Sequence, residues 1–188
     1  MESRWATYLG RKVHENSQIA LRKPMQLLQL FENVGKTAEK EERFLGWKTP
    51  LVGFKVVQYY AKGRNDRVWV DYGEDKIHTN ICVIEDLQYM KGKQSICAAP
   101  NLIHSLDAAH LQWTIYKADF PVTTIHDSFG CLLADMPKLY KLVRETFVEL
   151  YMEDPFEDVL KQLGVEETDI EMGKLDIKLI LESEYAFA

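Results

Sequence analysis

The chain has 188 residues, 46% of them hydrophobic, enough for one domain with a sizeable core or for one part of a larger body. No apolar run approaches the ~20 residues of a membrane span, and the opening Met1-Glu2-Ser3-Arg4-Trp5 has neither a signal-peptide apolar region nor an Arg-rich transit pattern, so a cytosolic protein with no membrane partner is expected. The formal charge of −6 argues at first against a nucleic-acid partner, but it is unevenly spread: residues 1–95 carry 16 Lys and Arg against 12 Asp and Glu, and residues 96–188 carry 7 against 17.

The basic first half therefore stays open to phosphate contact. The acidic load of the second half reads as solvated helical surface, with a field that raises cation occupancy near a metal site as the functional alternative. Cys82, Cys97 and Cys131 are odd in number and widely spaced, with no Cys-x-x-Cys pair, which points away from a disulfide frame or a zinc site and toward a reducing cytosol.

Residues 19–44 carry Ile19, Leu21, Met25, Leu27, Leu28, Leu30, Phe31 and Val34 at roughly helical spacing, interrupted by Pro24 and Gly35. This predicts two helices or one broken one. From 47 to 89 the character turns to β, with strands expected at 52–57, 67–72 and 76–83, the last two joined through Gly73-Glu74-Asp75 as a long hairpin. Val68, Val70 and Tyr72 alternate there with Arg67, Trp69 and Asp71, so one side is suited to packing while the other carries Arg and Trp. A β-ribbon of this kind can enter a major groove, where Arg reads guanine edges; a surface hairpin with ordinary charges is the alternative.

Residues 105–117 read as a helix with Leu106, Ala109, Trp113 and Tyr116 on one stripe, ended by Phe120-Pro121. Two short apolar runs follow, 121–125 and 129–133, with a turn expected at Asp127-Ser128. Asp135 is placed to cap a helix reaching Tyr151. Asp154-Pro155 opens a short helix closed by Gly164. The chain finishes in an apolar tip, Tyr185-Ala186-Phe187-Ala188, of the kind proteins dock or bury. There is no internal repeat and no low-complexity segment.

The turn at Thr124-Ile125-His126-Asp127-Ser128-Phe129-Gly130 carries the chemistry. A carboxylate on a rigid hairpin tip can ligate Mg²⁺, a hard cation that takes one or two oxygens from protein and the rest from water and phosphates. That arrangement suits phosphoryl or nucleotidyl transfer. Asp-Ser is also ordinary turn chemistry, and spacing alone leaves a plain hairpin turn open. His104, Asp107 and His110 lie three residues apart and spread over about 120° of a helix, too wide for a compact zinc site; His104 reads better as a polar group facing a cleft. Cys97 and Cys131 lack a local base, and no Gly-rich phosphate loop or Ser nucleophile elbow is present.

Four segments in order resemble one family. Residues 99–111 (APNLIHSLDAAHL), His126-Asp127-Ser128-Phe129-Gly130 with Ala134-Asp135, Val143-Arg144-Glu145-Thr146, and residues 180–188 (ILESEYAFA) are similar to the C-terminal part of the phage-type single-subunit DNA-dependent RNA polymerases. The similarity runs from about residue 25 to the end and is weakest before Trp47. It implies an α+β fold: the C-terminal part of a right-hand polymerase palm, with antiparallel β-hairpins, one bearing His-Asp, packed with several α-helices. Residues 1–46 would be the helical end of the fingers and palm, 47–95 a β-rich region with the promoter-specificity hairpin at 67–79, and 96–188 the palm motif C region with the C-terminal foot.

By the same resemblance Asp127 binds the catalytic Mg²⁺ ions, His126 lies near the growing RNA 3′ end, and His104 senses the ribose 2′-hydroxyl of the incoming nucleotide. Arg67, Trp69 and Lys76 would contact DNA, and Ser128, Phe187 and Ala188 would support the active site. The implied partners are template DNA, the RNA product and nucleoside triphosphates, in the cytoplasm of an infected host cell if the chain is phage-encoded.

Departures accompany the likeness. Leu106 stands where the family usually has Gln, and Trp69 occupies a hairpin position that is otherwise polar, so promoter preference is not legible. The second metal-binding Asp (motif A) and the fingers helix with Arg, Lys and Tyr-Gly (motif B) have no counterpart; Tyr72-Gly73 lies in the hairpin without a helical Lys before it. Two-metal transfer needs carboxylates on both sides of a metal pair ~3.5–4 Å apart, which Asp127 alone does not supply. The expectation is a split enzyme: this chain, from its own Met1, joined to a larger subunit holding motifs A and B. The competing readings are a family A DNA polymerase palm, where Glu rather than Ser128 usually follows the Asp, and a non-catalytic DNA-binding or interaction subunit.

Overall fold

The computed structural model describes residues 2–73, 75–83, 90, 92–170 and 173–186. Phe187, Ala188 and Glu74 lie outside them, as do residues 84–89 at the end of the expected β region. The described residues form a mixed α+β arrangement of five α-helices and three separate antiparallel hairpins. No helix among them is long and apolar enough to cross a membrane.

The expected break in the first helical stretch falls at Leu21, between α1 (Glu2–Ala20) and α2 (Arg22–Lys40). Pro24 sits in the first turn of α2, where its missing N–H has no helical acceptor to lose. Gly35 does not interrupt α2. It lies where α2 crosses α3 (Lys93–Lys117): a Cβ built there would stand 2.4 Å from the Ser95 Cα, so only glycine permits this approach.

Helix α3 is twice as long as the 105–117 segment suggests, and it runs through Pro100. Its start is secured from a distance. The Glu39 carboxylate of α2 accepts from Gly92 N (3.0 Å) and Ser95 N (3.2 Å), satisfying orphan donors at the helix N-terminus. Buried Gln94 accepts from Leu45 N and donates to Arg43 O, binding the α2–β1 loop to the same turn.

The core lies where α2, α3 and α5 (Pro155–Gln162) meet β1 (Gly46–Lys48). Phe31, Val34 and Ala38 face Ala98, Leu102 and Leu106, with Trp47 and Val159, Leu160 and Leu163 closing the cluster. Trp47 is buried with its indole N–H donated to Ser105 Oγ at 3.0 Å, so its polar atom enters the core satisfied. β1 pairs with β2 (Lys55–Val57) on one side. On the other, Gln162 accepts from Lys48 N and donates to Lys48 O, replacing a neighbouring strand with a side-chain amide.

Asp154 caps α5 by accepting from Glu157 N, and Gly164 follows in the left-handed region at φ 84°, as the Pro-first, Gly-last pattern predicts. Asp135 differs from expectation. It precedes α4 (Met136–Met152) but its carboxylate pairs with Lys138 at 3.0 Å rather than with a backbone N–H. α4 packs against the C-terminal half of α3, where His110 and Thr114 meet Val143 and Thr146. A 3₁₀ turn, Ile177–Leu181, then lays the end of the described chain back along α4.

Candidate functional site

The second ribbon is β3 (Arg64–Tyr72) with β4 (Asp75–Val83), paired without interruption from Arg64↔Val83 to Tyr72↔Asp75. This register separates its two faces. Because directly opposed residues share a side, Arg67, Trp69 and Asp71 fall on one face with Asn80, His78 and Lys76. The three residues expected to meet DNA are therefore brought together. Trp69 is 64% exposed and touches the ring of His78 edge-on. Lys76 is 3.6 Å from Asp71, an exposed pair that salt screens readily. His78 was not singled out in the sequence; its place opposite Trp69 emerges only from the register.

The third hairpin, β5 (Val122–Ile125) and β6 (Ser128–Cys131), pairs Ile125 with Ser128 and leaves His126-Asp127 as a two-residue loop. The turn is thus one residue earlier than expected, and Ser128 opens a strand rather than forming the bend. His126 has φ 56° and Asp127 no positive φ, the sign pattern of a type II′ turn, whose twist matches that of the strands. Glycine is the usual residue at this first position, so His126 holds a conformation costing about 1–2 kcal/mol. Beside the loop, Gly130 lies so close to Thr123 that an added Cβ would approach its Cγ2 to 2.9 Å.

One face of the hairpin rests on a buried polar node. Phe129 meets the His110 ring edge-on at 5.9 Å, and Phe147 of α4 approaches it at 5.4 Å. His110 Nε2 lies 2.9 Å from Val143 O and 3.1 Å from Thr146 Oγ1. A carbonyl can only accept, so Nε2 carries the hydrogen. Thr114 Oγ1 completes the node at 2.8 Å from Thr146 Oγ1. Burial pushes the His110 pKa down, against the Val143 hydrogen bond and the Asp107 charge, which both raise it. Of the helix trio, His110 thus turns into the α3–α4 interface while His104 and Asp107 stay on the exposed side. Its structural role beneath the hairpin was not evident from spacing.

At the tip, His126, Asp127 and Ser128 are exposed, and their side chains make no hydrogen bond or ion pair among the described residues. Asp127 is exposed on a two-residue loop. No group of three or more His, Cys, Asp or Glu that could hold a metal forms among the described residues. Asp127 is therefore suited to one side of a hard-cation site and not to enclosing an ion. No hydrogen bond or ring contact among the described residues links His104 to this hairpin.

Arg144 is the other residue whose role the sequence understates. Only 3% exposed, it donates from Nε to Ser183 O and from Nη2 to Glu184 O, both 3.2 Å, and lies over the Tyr140 ring. Tyr140 adds its hydroxyl to Ser183 O. The chain end is thereby held on α4 at Ser183 and Glu184. The available signal was an arginine between Val143 and Thr146 on the buried stripe of α4.

The chain belongs to the DNA-dependent RNA polymerase family, whose family model matches residues 3–169. The match thus begins well before residue 25, inside α1. Among relatives, it is 29% identical to T7 RNA polymerase of Escherichia phage T7, over 97% of this chain and 24% of that protein. It is 35% identical to the DNA-directed RNA polymerase of Enterobacteria phage T3, over 76% of this chain and 18% of the relative. With the mitochondrial DNA-directed RNA polymerase 1 of Arabidopsis thaliana it shares 32% identity over 84% of this chain and 16% of the relative. The chain spans less than a quarter of the length of these relatives.

Proposed function

We propose that this chain supplies one metal-binding carboxylate, Asp127, to a DNA-dependent RNA polymerase whose remaining active-site groups come from a larger partner chain. The observation that carries this reading is the exposed carboxylate on the β5–β6 tip, with no hydrogen bond or ion pair among the described residues, in a chain whose residues 3–169 match the polymerase family. A carboxylate already held by a lysine or a helix N-terminus would be a poor ligand. Among the described residues, Asp127 is held by neither.

The residues present fit Mg²⁺ as one half of its protein ligands, since this cation keeps several waters and takes one or two carboxylates. When bound, Mg²⁺ would neutralise charge developing on the attacking and leaving oxygens. The RNA 3′-oxygen forms the new bond to the α-phosphorus of a nucleoside triphosphate as the bond to pyrophosphate breaks. His126, next to Asp127 on the tip, is placed toward the RNA 3′ end, with Ser128 beginning the strand that fixes the loop. His104 on the exposed side of α3 contacts the ribose 2′-hydroxyl, and the active-site support expected of Phe187 and Ala188 falls on residues outside those described.

The partner contributes the second aspartate and the fingers helix, and its strand extends the two-stranded palm sheet. Template DNA is held on the Arg67–Trp69–Lys76 face of the ribbon. That face also supports a second reading, a DNA-binding subunit in which Asp127 takes no part in chemistry.

The test is reconstitution with the chain of the same genome that carries the two missing motifs. Ribonucleotide incorporation on a DNA template is expected only when both chains are present. Equal activity of the partner alone, or a preference for deoxyribonucleotides, would refute the proposal.

A further inference from the structure

A compact monomer of 21.9 kDa exposes about 9,300 Å², whereas this chain exposes 14,031 Å². The surplus of about 4,700 Å² exceeds what one side of even a large obligate interface needs. Two elements have little packed against them, and the first is α1.

Trp5, Tyr8, Leu9 and Val13 recur at helical spacing on one face of α1 and are 65%, 44%, 59% and 66% exposed. Arg4, Arg11, Glu15 and Gln18 take the other side. α1 packs substantially only against α2, near their junction. Helices of this length are marginal in water without tertiary support, so a bare apolar stripe on 19 residues calls for a partner surface.

What covers it follows from three observations. The family match starts at residue 3, so α1 belongs to the shared fold and is not an appendage. T7 RNA polymerase, aligned over 97% of this chain and so including most of α1, is more than four times as long, so most of that fold lies outside this chain. A second apolar surface, the Val70, Tyr72, Ile77 and Ile81 face of the β3–β4 ribbon, is also exposed on a separate element. A two-fold dimer buries one self-complementary patch. Two patches on different elements instead require a larger, enveloping body.

We infer that the Trp5–Leu9–Val13 face of α1 is the principal docking surface by which this chain joins the larger polymerase chain, lying in an apolar groove of that partner. The inference rests on the two-chain reading above and adds to it where the chains meet. Lys12 and Asn16 interrupt the stripe and set its register in the groove, since an apolar groove must leave both a polar exit.

The experiment measures affinity between the full chain and the genome-matched chain carrying motifs A and B, by biolayer interferometry, with hydrogen exchange on α1 free and bound. Leu9→Asp with Val13→Asp should weaken binding at least 100-fold. Leu9→Ala with Val13→Ala, which retains helix propensity, should weaken it at least tenfold, while Gln18→Glu on the opposite face stays within twofold. Amides of α1 should exchange at least tenfold more slowly in the complex. If the complex forms, the apolar-face variants bind like the wild type and α1 exchange is unchanged, the docking assignment is overturned while the two-chain reading stands. If wild type forms no complex, the two-chain reading fails and takes this inference with it. Self-association of the isolated chain through α1, abolished by the same variants, would overturn the assignment in favour of a second copy.

Discussion

Replacing Gly35 by Ala should destabilise the chain, although alanine is the better helix former. The added Cβ would lie 2.4 Å from Ser95 Cα, 2.7 Å from Ser95 N and 2.9 Å from Gln94 C. All three are backbone atoms, so no rotamer change relieves the clash. Carbon atoms rest at about 3.5–4.0 Å, so α2 and α3 must part by about 1 Å. Such overpacking costs about 1–3 kcal/mol, and the separation also draws Glu39 from Gly92 N and Ser95 N, forfeiting a cap worth about 1 kcal/mol. Gaining helix propensity returns about 1 kcal/mol. The net loss of about 1–3 kcal/mol lowers the melting temperature by roughly 3–10 °C for a chain of this size. Gly10 in α1 provides the control, because a Cβ there meets nothing within 4 Å; Gly10→Ala should leave the melt unchanged or raise it slightly. Far-UV circular dichroism melts read both. A Gly35→Ala protein that melts at or above the wild type would refute the close-approach argument.

The buried His110 makes stability fall with acid. Its folded pKa lies below the unfolded value of about 6.5, so the unfolded chain binds the extra proton between the two. Stability should be full above pH ~6.5 and decline below it by at most about 1.4 kcal/mol per pH unit, until the folded pKa is passed. Urea melts at pH 7.5 and 5.5 should show a smaller difference for His110→Gln, and an identical difference would count against the assignment. Arg144→Ala removes the donors to Ser183 O and Glu184 O, so trypsin cleavage after Lys178 should accelerate at least tenfold. Arg144→Lys should recover only part of the protection, because a point ammonium does not fork across two carbonyls; unchanged cleavage in the alanine variant would refute the clamp. On the ribbon, Arg67→Ala should weaken DNA binding and lower the salt slope by about 1, with titrations at several salt concentrations as the check.

Local signals carried over well where they act locally. Asp154-Pro155 and Gly164 delimit α5, the alternation at 67–72 becomes β3, and His126-Asp127 sits at a hairpin tip. Features settled by distant partners were harder to read. α3 begins at Lys93 because Glu39 caps it from α2 and Gln94 anchors it to the chain before β1, contacts spanning about fifty residues. The expected helix begins only at Ser105, whereas α3 runs through Pro100, which falls on an exposed flank of a helix already fixed at its start. β1 has three residues and depends on Gln162 for its outer edge, a partner 114 residues away. The turn moved by one residue because strand pairing extends to Ile125 and Ser128, forcing His126 into the left-handed region. Periodicity does not show that His110 and Arg144 are buried among carbonyls that α4 and the chain end supply.

The role of Asp127 is tested most directly by Asp127→Asn in the reconstituted two-chain enzyme, with ribonucleotide incorporation and template affinity measured side by side. Asparagine keeps the size and the turn but lacks the charge that a hard cation selects. Incorporation should fall by about 10³-fold or more, equivalent to ~4 kcal/mol of transition-state stabilisation, with DNA affinity within twofold. Incorporation within tenfold of the wild type would contradict the assignment and favour the DNA-binding subunit.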